Sequence, residues 1–264
     1  MAKSVDLTPI VLSGNCCFVS DAHFQVPPDA PSRLREEQLI VLLQSLKNKV
    51  QHLFLLGDIF DFWFEYRDVV PKGYFRLFNT LYDLRQAGVQ LYYFVGNHDM
   101  WVKSYMTEEL EMQIFYQPQL FQINGKQCLI GHGDGLGGHQ RRYLLIKHIF
   151  AFKPNQVMFS MLHPRQAFSI ARFCSSASRS SHKPDGRIFR SEEEHQVLFA
   201  RELLQRQPVD FFIFAHRHVP ARYKLNDHAT LFNCGDWLDN FSYLLFNEED
   251  TAPSLHFLTK QPRQ

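Results

Sequence analysis

The chain has no apolar run of the roughly 18 to 20 residues that a membrane-spanning helix requires. Its first ten residues, Met1 to Ile10, hold too short an apolar stretch for a secretory signal, so a cytosolic location is expected. Cysteine is sparse. Cys16, Cys17, Cys128, Cys174 and Cys234 are odd in number and lack CxxC spacing, a pattern of reduced thiols that argues against a disulfide framework. Internal repeats and low-complexity tracts are missing, and 45% hydrophobic with 21% charged residues excludes a disordered polymer. The 264 residues suit one large domain or two small ones. What the chain has in plenty is phenylalanine: 25 residues, a surplus that suggests apolar surface kept for a partner or substrate.

The 28 Lys and Arg nearly balance the 27 Asp and Glu, for a net charge of +1, but the charges are unevenly placed. Residues 139–190 contain ten Lys or Arg and the single acid Asp185, which leaves a segment of +9 on a body of −8. The same stretch carries the apolar clusters Tyr143-Leu-Leu-Ile146, Ile149-Phe-Ala-Phe152 and Ala167-Phe168. A basic and apolar segment predicts contact with something anionic and greasy.

Hydrophobic patterning predicts strands over 16–20, 52–56 and 89–95, alternating with helices over 31–49 and 73–86, the signature of βαβ units. Residues 119–123 and 127–130 flank Asn124-Gly125, a strong hairpin signal. Residues 191–205 read as a helix opened by a capping box, Ser191-Glu-Glu-Glu194. Further strands are expected over 209–214, 229–234 and 242–246. The body is therefore a sheet-centred α/β layer structure over residues 1–138 and 191–264, with 139–190 as a helical insertion.

The chemistry-bearing residues fall immediately after predicted strands: Asp21-Ala-His23, Gly57-Asp58-Ile-Phe-Asp61, Gly96-Asn97-His98-Asp99, Gly131-His132-Gly133-Asp134 and His216-Arg-His218. In open α/β sheets ligands gather beyond the carboxyl ends of the strands, so the five clusters should meet on one rim. Asp21/His23 and His216/His218 are i, i+2 pairs that an extended backbone points to one side. Carboxylate, imidazole and amide oxygen together suit Mn²⁺, Fe or Zn²⁺. Seven such ligands exceed the need of one ion, whereas two ions ~3.5–4 Å apart, sharing a carboxylate, would use them all.

The ordered strings D-x-H, G-D-x-x-D, G-N-H-D, G-H-G-D and H-x-H resemble the calcineurin-like metallophosphoesterase superfamily. The fuller strings Leu56-Gly-Asp-Ile-Phe-Asp-Phe-Trp63, Ile130-Gly-His-Gly-Asp134 and Gly235-Asp-Trp237 resemble its UDP-2,3-diacylglucosamine pyrophosphatase branch in lipid A biosynthesis. This resemblance implies an α/β/β/α sandwich with a helical lid insertion, and cleavage of UDP-2,3-diacylglucosamine to UMP and 2,3-diacylglucosamine 1-phosphate, usually with Mn²⁺. It implies Asp21, His23 and His218 on a first metal, Asn97, His132 and His216 on a second, and Asp58 bridging. The expected partners are a glycolipid nucleotide and the inner face of the bacterial inner membrane, with no nucleic acid. His98 stands where better-known members of the branch carry Arg, and Ala215 and Arg217 replace Gly and Thr of a G-H-T-H string.

Two dications at such a site would neutralise phosphoryl oxygens and acidify a water for attack on the phosphorus bearing the uridine. His98 is then the expected proton or hydrogen-bond donor to a phosphoryl oxygen, with Asp99 fixing its tautomer. Asp134, Arg179, Ser180 and Lys183 are candidate substrate contacts. Asp61 is open between orienting a ligand and capping a turn, Asp236 reads as structural, and Phe60 to Phe64 read mainly as core, with Trp63 or Phe64 candidates for an acyl or uracil pocket. The competing readings are a metallophosphoesterase acting on a nucleotide, cyclic nucleotide or phosphoprotein, and a non-catalytic scaffold on the same fold.

Overall fold

A computed structural model describes residues 6–137, 141–181 and 188–258. Among the described residues, twelve strands form two six-stranded sheets. The first runs β1 (Asp6–Leu12), β6 (Gln119–Ile123), β7 (Lys126–Ile130), β8 (Phe211–Phe214), β10 (Thr230–Asn233) and β9 (Ala221–Lys224). The second runs β12 (Ser254–Phe257), β11 (Ser242–Phe246), β2 (Cys16–Val19), β3 (His52–Leu55), β4 (Gln90–Phe94) and β5 (Gln113–Phe115).

Strand periodicity explains the layering. Phe18, Phe54, Tyr92 and Phe94 of the second sheet pack against Phe121, Ile130, Ile213 and Phe232 of the first, a core between the sheets. The alternate residues Cys17, Leu53, Leu91 and Tyr93 face helices α1 (Ala30–Leu46), α2 (Phe75–Gln86) and α3 (Tyr105–Leu110). On the far side of the first sheet, Leu129, Phe212 and Leu231 pack against Val197 and Ala200 of α7 (His195–Leu204). Strands covered on both faces need continuous apolar runs, which is how 16–19, 52–55 and 211–214 read. The result is the expected four-layer α/β/β/α sandwich.

Residues 141–181 contribute three helices, α4 (Arg141–Ala151), α5 (Lys153–Ser160) and α6 (Pro164–Ser181). They dock on aromatic side chains of the body: Phe62 lies 5.8 Å from both Phe159 and Phe168, and Trp101 lies 4.8 Å from Phe159. The capping box at 191–194 is not formed. Ser191 has a left-handed φ of 50° and opens a 3₁₀ turn, while α7 starts after Glu194, whose side chain is engaged by Arg217. No helix among the described residues is long and apolar enough to cross a membrane.

Candidate metal centre

Parallel pairing of β2 with β3 and β3 with β4 puts the carboxyl ends of these three strands on one edge. The loop residues Asp21, His23, Asp58, Asn97 and His98 start from that edge. The parallel neighbours β7 and β8 of the other sheet deliver His132, His216 and His218 to the same place. Five of these residues sit in the left-handed region: Asp21 (φ 49°), His23 (44°), Asp58 (51°), His216 (70°) and His218 (55°). Strain of this kind persists where the surroundings over-determine it, and it gathers at functional sites. Bonds donated by backbone amides impose it here, with His23 N–H donating to the Asp58 carbonyl at 2.9 Å and His216 N–H to the Asp21 carboxylate Oδ2 at 3.1 Å. Gly96 allows the tight approach: a Cβ there would stand 2.2 Å from Asp58 Oδ1 and 2.5 Å from Asp58 N.

Among the described residues three groups of potential ligand atoms result: Asp21, His23 and His218; Asp58, His132 and His216; and His23, Asp61 and His98, which shares His23 with the first. In the first, Oδ1 of Asp21 is fully buried and receives no hydrogen bond, yet Nε2 of His218 lies 3.3 Å away and Nε2 of His23 3.8 Å. The two Nε2 atoms face each other at 3.3 Å. In the second, Oδ2 of Asp58 and Oδ1 of Asn97 each lie 3.3 Å from Nε2 of His132, and His216 completes the set. The same Asp58 Oδ2 is 3.7 Å from His23 Nε2, so one oxygen stands between the groups. Carboxylates and a carbonyl hold the outer ring nitrogens: Asp61 Oδ1 is 3.3 Å from His23 Nδ1, Asp236 Oδ2 is 3.5 Å from His218 Nδ1, and His132 Nδ1–H donates to Leu56 O at 2.7 Å. This is the outer-shell pattern that orients metal-binding imidazoles. An orphaned buried carboxylate oxygen and opposed imidazole nitrogens are what a pair of divalent cations would satisfy, so the residues fit two such ions.

The electrostatics agree. Burial opposes charge on Asp21, but His218 and His23 hold it well below the carboxylate range. Burial likewise works against a charged Asp58, and His132 and His98 hold it low. Burial also disfavours imidazolium at His132 and His218; Asp58 nevertheless raises the former to about 10, and Asp21 the latter to about 10. His216, desolvated beside His132, falls to about 3. Without a cation, protons on the imidazoles balance the acids, and metal ions would take their place.

His98 is not served by Asp99 as expected. Its Nδ1 lies 3.2 Å from Asp61 O and 3.5 Å from Asp61 Oδ1, and its ring meets His23 edge-on at 4.6 Å. The Asp99 carboxylate is fully buried and accepts from Ile59 N at 2.9 Å, Gly96 N at 2.8 Å and the Tyr93 hydroxyl. It clamps the loop after β3 to the loop after β4, a pairing that adjacency in sequence conceals. Burial and the Asp58 charge raise its pKa to about 6.

Asp134, a candidate substrate contact, is buried and paired with Lys147 of α4. Arg179 and Ser180 belong to the last turn of α6, but their side chains, and Lys183 altogether, lie outside the described residues. Arg217 makes a bidentate pair with buried Glu194 at 2.8 and 3.0 Å, which ties the His216–His218 loop to the start of α7. Trp63 lies in the helix-side core with its indole N–H donating to Glu65 at 3.0 Å, so it lines no pocket for an acyl chain. From sequence Asp236 reads as structural, whereas it faces His218 Nδ1, and Lys147 reads only as one of the basic residues of the insertion. The only available signals were a carboxylate after β10 and a lysine on a helix.

A two-sheet sandwich with this donor set on one rim defines a metal-dependent phosphoesterase. The chain belongs to the calcineurin-like phosphoesterase family, whose model matches residues 15–220. It is 31% identical over 243 residues to the UDP-2,3-diacylglucosamine hydrolase of Porphyromonas gingivalis, which covers 87% of this chain and 93% of that one. It is 26% identical over 246 residues to the enzyme of that name from Vibrio cholerae, covering 88% and 94%. Among solved structures, a phosphoesterase from E. coli aligns at 14% identity and a TM-score of 0.42, covering 93% of this chain and 100% of that one.

Proposed function

We propose that this protein hydrolyses UDP-2,3-diacylglucosamine to UMP and 2,3-diacylglucosamine 1-phosphate with two Mn²⁺ ions. The observation that carries the reading is a site of seven N/O ligands beside helices that expose Leu145, Ile149, Phe152, Met158 and Met161. A phosphoesterase acting on a soluble nucleotide has no use for that apolar surface. Relatives bearing the hydrolase name span nearly the whole chain, which supports the same substrate class.

Asp21, His23 and His218 would hold one ion, Asn97, His132 and His216 the other, and Asp58 both. When bound, the ions supply charge neutralisation at the diphosphate and an acidified water. His98, with Nδ1 committed to Asp61, offers its other nitrogen to a phosphoryl oxygen. Asp61 positions that ring, and Asp99 holds the loop that carries it. Residues 139–190 act as a lid for the core formed by 1–138 and 191–264, with Arg179, Ser180 and Lys183 as candidate headgroup-binding residues. The exposed apolar side chains and the +9 charge favour the cytoplasmic face of an anionic membrane, where the acyl chains reside.

A product assay with Mn²⁺ tests the reading. UMP released from UDP-2,3-diacylglucosamine, with unacylated UDP-sugars turned over far more slowly, is the expected result. Equal turnover of the unacylated sugars would point to a soluble nucleotide substrate.

A further inference from the structure

We infer that α4 is a strut that sets the spacing of the second ligand group through two bonds to the loops that carry Asn97 and His132. The inference rests on the two-ion reading above. Lys147 of α4 pairs through Nζ with Asp134, which lies in the same tight loop as His132. The pair is largely shielded, with exposures of 17% and 5%. Three positions along the helix, on the same face, the carbonyl of Phe150 accepts the indole N–H of Trp101 at 2.9 Å. That carbonyl belongs to the last turn of α4, where intrahelical partners run out.

Trp101 follows the Gly96–Asp99 loop and is itself fixed. It is 5% exposed, bridges to Phe64 as an isolated β pair, and sets its ring edge-on 5.2 Å from Phe64 and tilted 4.8 Å from Phe159. The strands that feed these two loops, β4 and β7, belong to different sheets. The helix therefore ties one sheet to the other beside the point where Asn97 Oδ1 faces His132 Nε2 across 3.3 Å. The first group takes its orientation from other partners, Asp61 on His23 and Asp236 on His218. Loosening α4 should accordingly open the Asn97–His132 spacing and leave Asp21, His23 and His218 as they are.

Mn²⁺ titration of the full chain, followed by calorimetry and by the electron paramagnetic resonance of the bound ions, tests this. The variants are Trp101→Phe, which deletes one bond without a change of charge, and Asp134→Asn with Lys147→Met, which deletes the other without stranding a buried charge. Circular dichroism confirms folding, and the second variant serves where the first does not fold. The parent is expected to take up two ions. Each variant should keep one at parental affinity and bind the other about 10- to 100-fold more weakly, the range for loss of an outer partner. Trp101→Phe added to His132→Ala should weaken uptake no further than His132→Ala alone. Equal weakening of both ions, or variants indistinguishable from a two-ion parent, would overturn the strut. A parent that takes up a single ion would overturn the two-ion reading beneath it.

Discussion

Oδ2 of Asp58 stands 3.3 Å from Nε2 of His132 and is shared with the neighbouring group, being 3.7 Å from Nε2 of His23. Replacing Asp58 with Ala should therefore release both ions together, and activity should fall by more than the ~10- to 100-fold typical of an outer-shell loss. Elemental analysis of the purified variant checks this. Retention of one full equivalent, or unchanged phosphoester hydrolysis, would contradict the shared role.

Proton balance gives a second prediction. Asp58 and Asp21 lift His132 and His218 to about 10, against the burial that works to lower them, so both imidazoles are protonated at neutral pH in the absence of metal. A raised value means that the protons leave only as pH climbs toward that range, and a cation must displace them below it. Mn²⁺ affinity should rise steadily between about pH 6 and pH 9, with up to one unit of log affinity per pH unit for each proton released. Calorimetry in buffers of different ionisation heat would count those protons. A pH-independent affinity would mean that the two imidazoles are already neutral.

Gly96 predicts a steric failure. A methyl group there would stand 2.2 Å from Asp58 Oδ1 and 2.5 Å from Asp58 N, and backbone cannot move aside cheaply. Gly96→Ala should lower stability by about 1–3 kcal/mol and displace the carboxylate that both groups share. Gly125→Ala is the comparison, because its Cβ would meet nothing within 4 Å. That change carries only left-handed strain, φ being 78°. Thermal unfolding should therefore separate the two, with metal uptake lost only at Gly96.

These outcomes also show what a sequence can reveal. The eight strands visible in the pattern are the interior ones, whose faces are covered and whose runs are apolar. The four it does not reveal, β1, β5, β9 and β12, are the outer strands of the two sheets. Each has a physical reason to be faint: β1 contains Pro9 and exposes Val11 at 71%, β5 has three residues, β9 alternates half-buried with exposed positions, and β12 has no fully buried residue. The meeting of the five motif loops is legible because each follows a strand. Asp61 stands out as a possible orienting residue, but which imidazole it meets does not, since it reaches His23 across 38 positions and no local pattern encodes that contact. Asp99 misleads for the converse reason, being next to His98 in the chain while bonded elsewhere.

Surface chemistry on α4 to α6 gives the last prediction. Ile149, Met158 and Met161 are exposed at 51%, 66% and 78%, in a segment where Lys153, Arg165 and Arg172 also reach solvent. Apolar side chains gain roughly 1.5–3 kcal/mol each on full burial, and basic residues near an anionic surface add about 1 kcal/mol each. The triple variant Ile149→Ser, Met158→Ser, Met161→Ser should bind anionic vesicles at least about a hundredfold less tightly than the parent, given even partial insertion of the three side chains. Its turnover of a detergent-dispersed substrate should change far less, because none of the three lies among the ligand groups. Raised salt should weaken the parent on anionic vesicles and leave neutral vesicles unaffected. Sedimentation with vesicles of each composition provides the measurement. Parental binding by the triple variant would rule out insertion of these three side chains into the membrane.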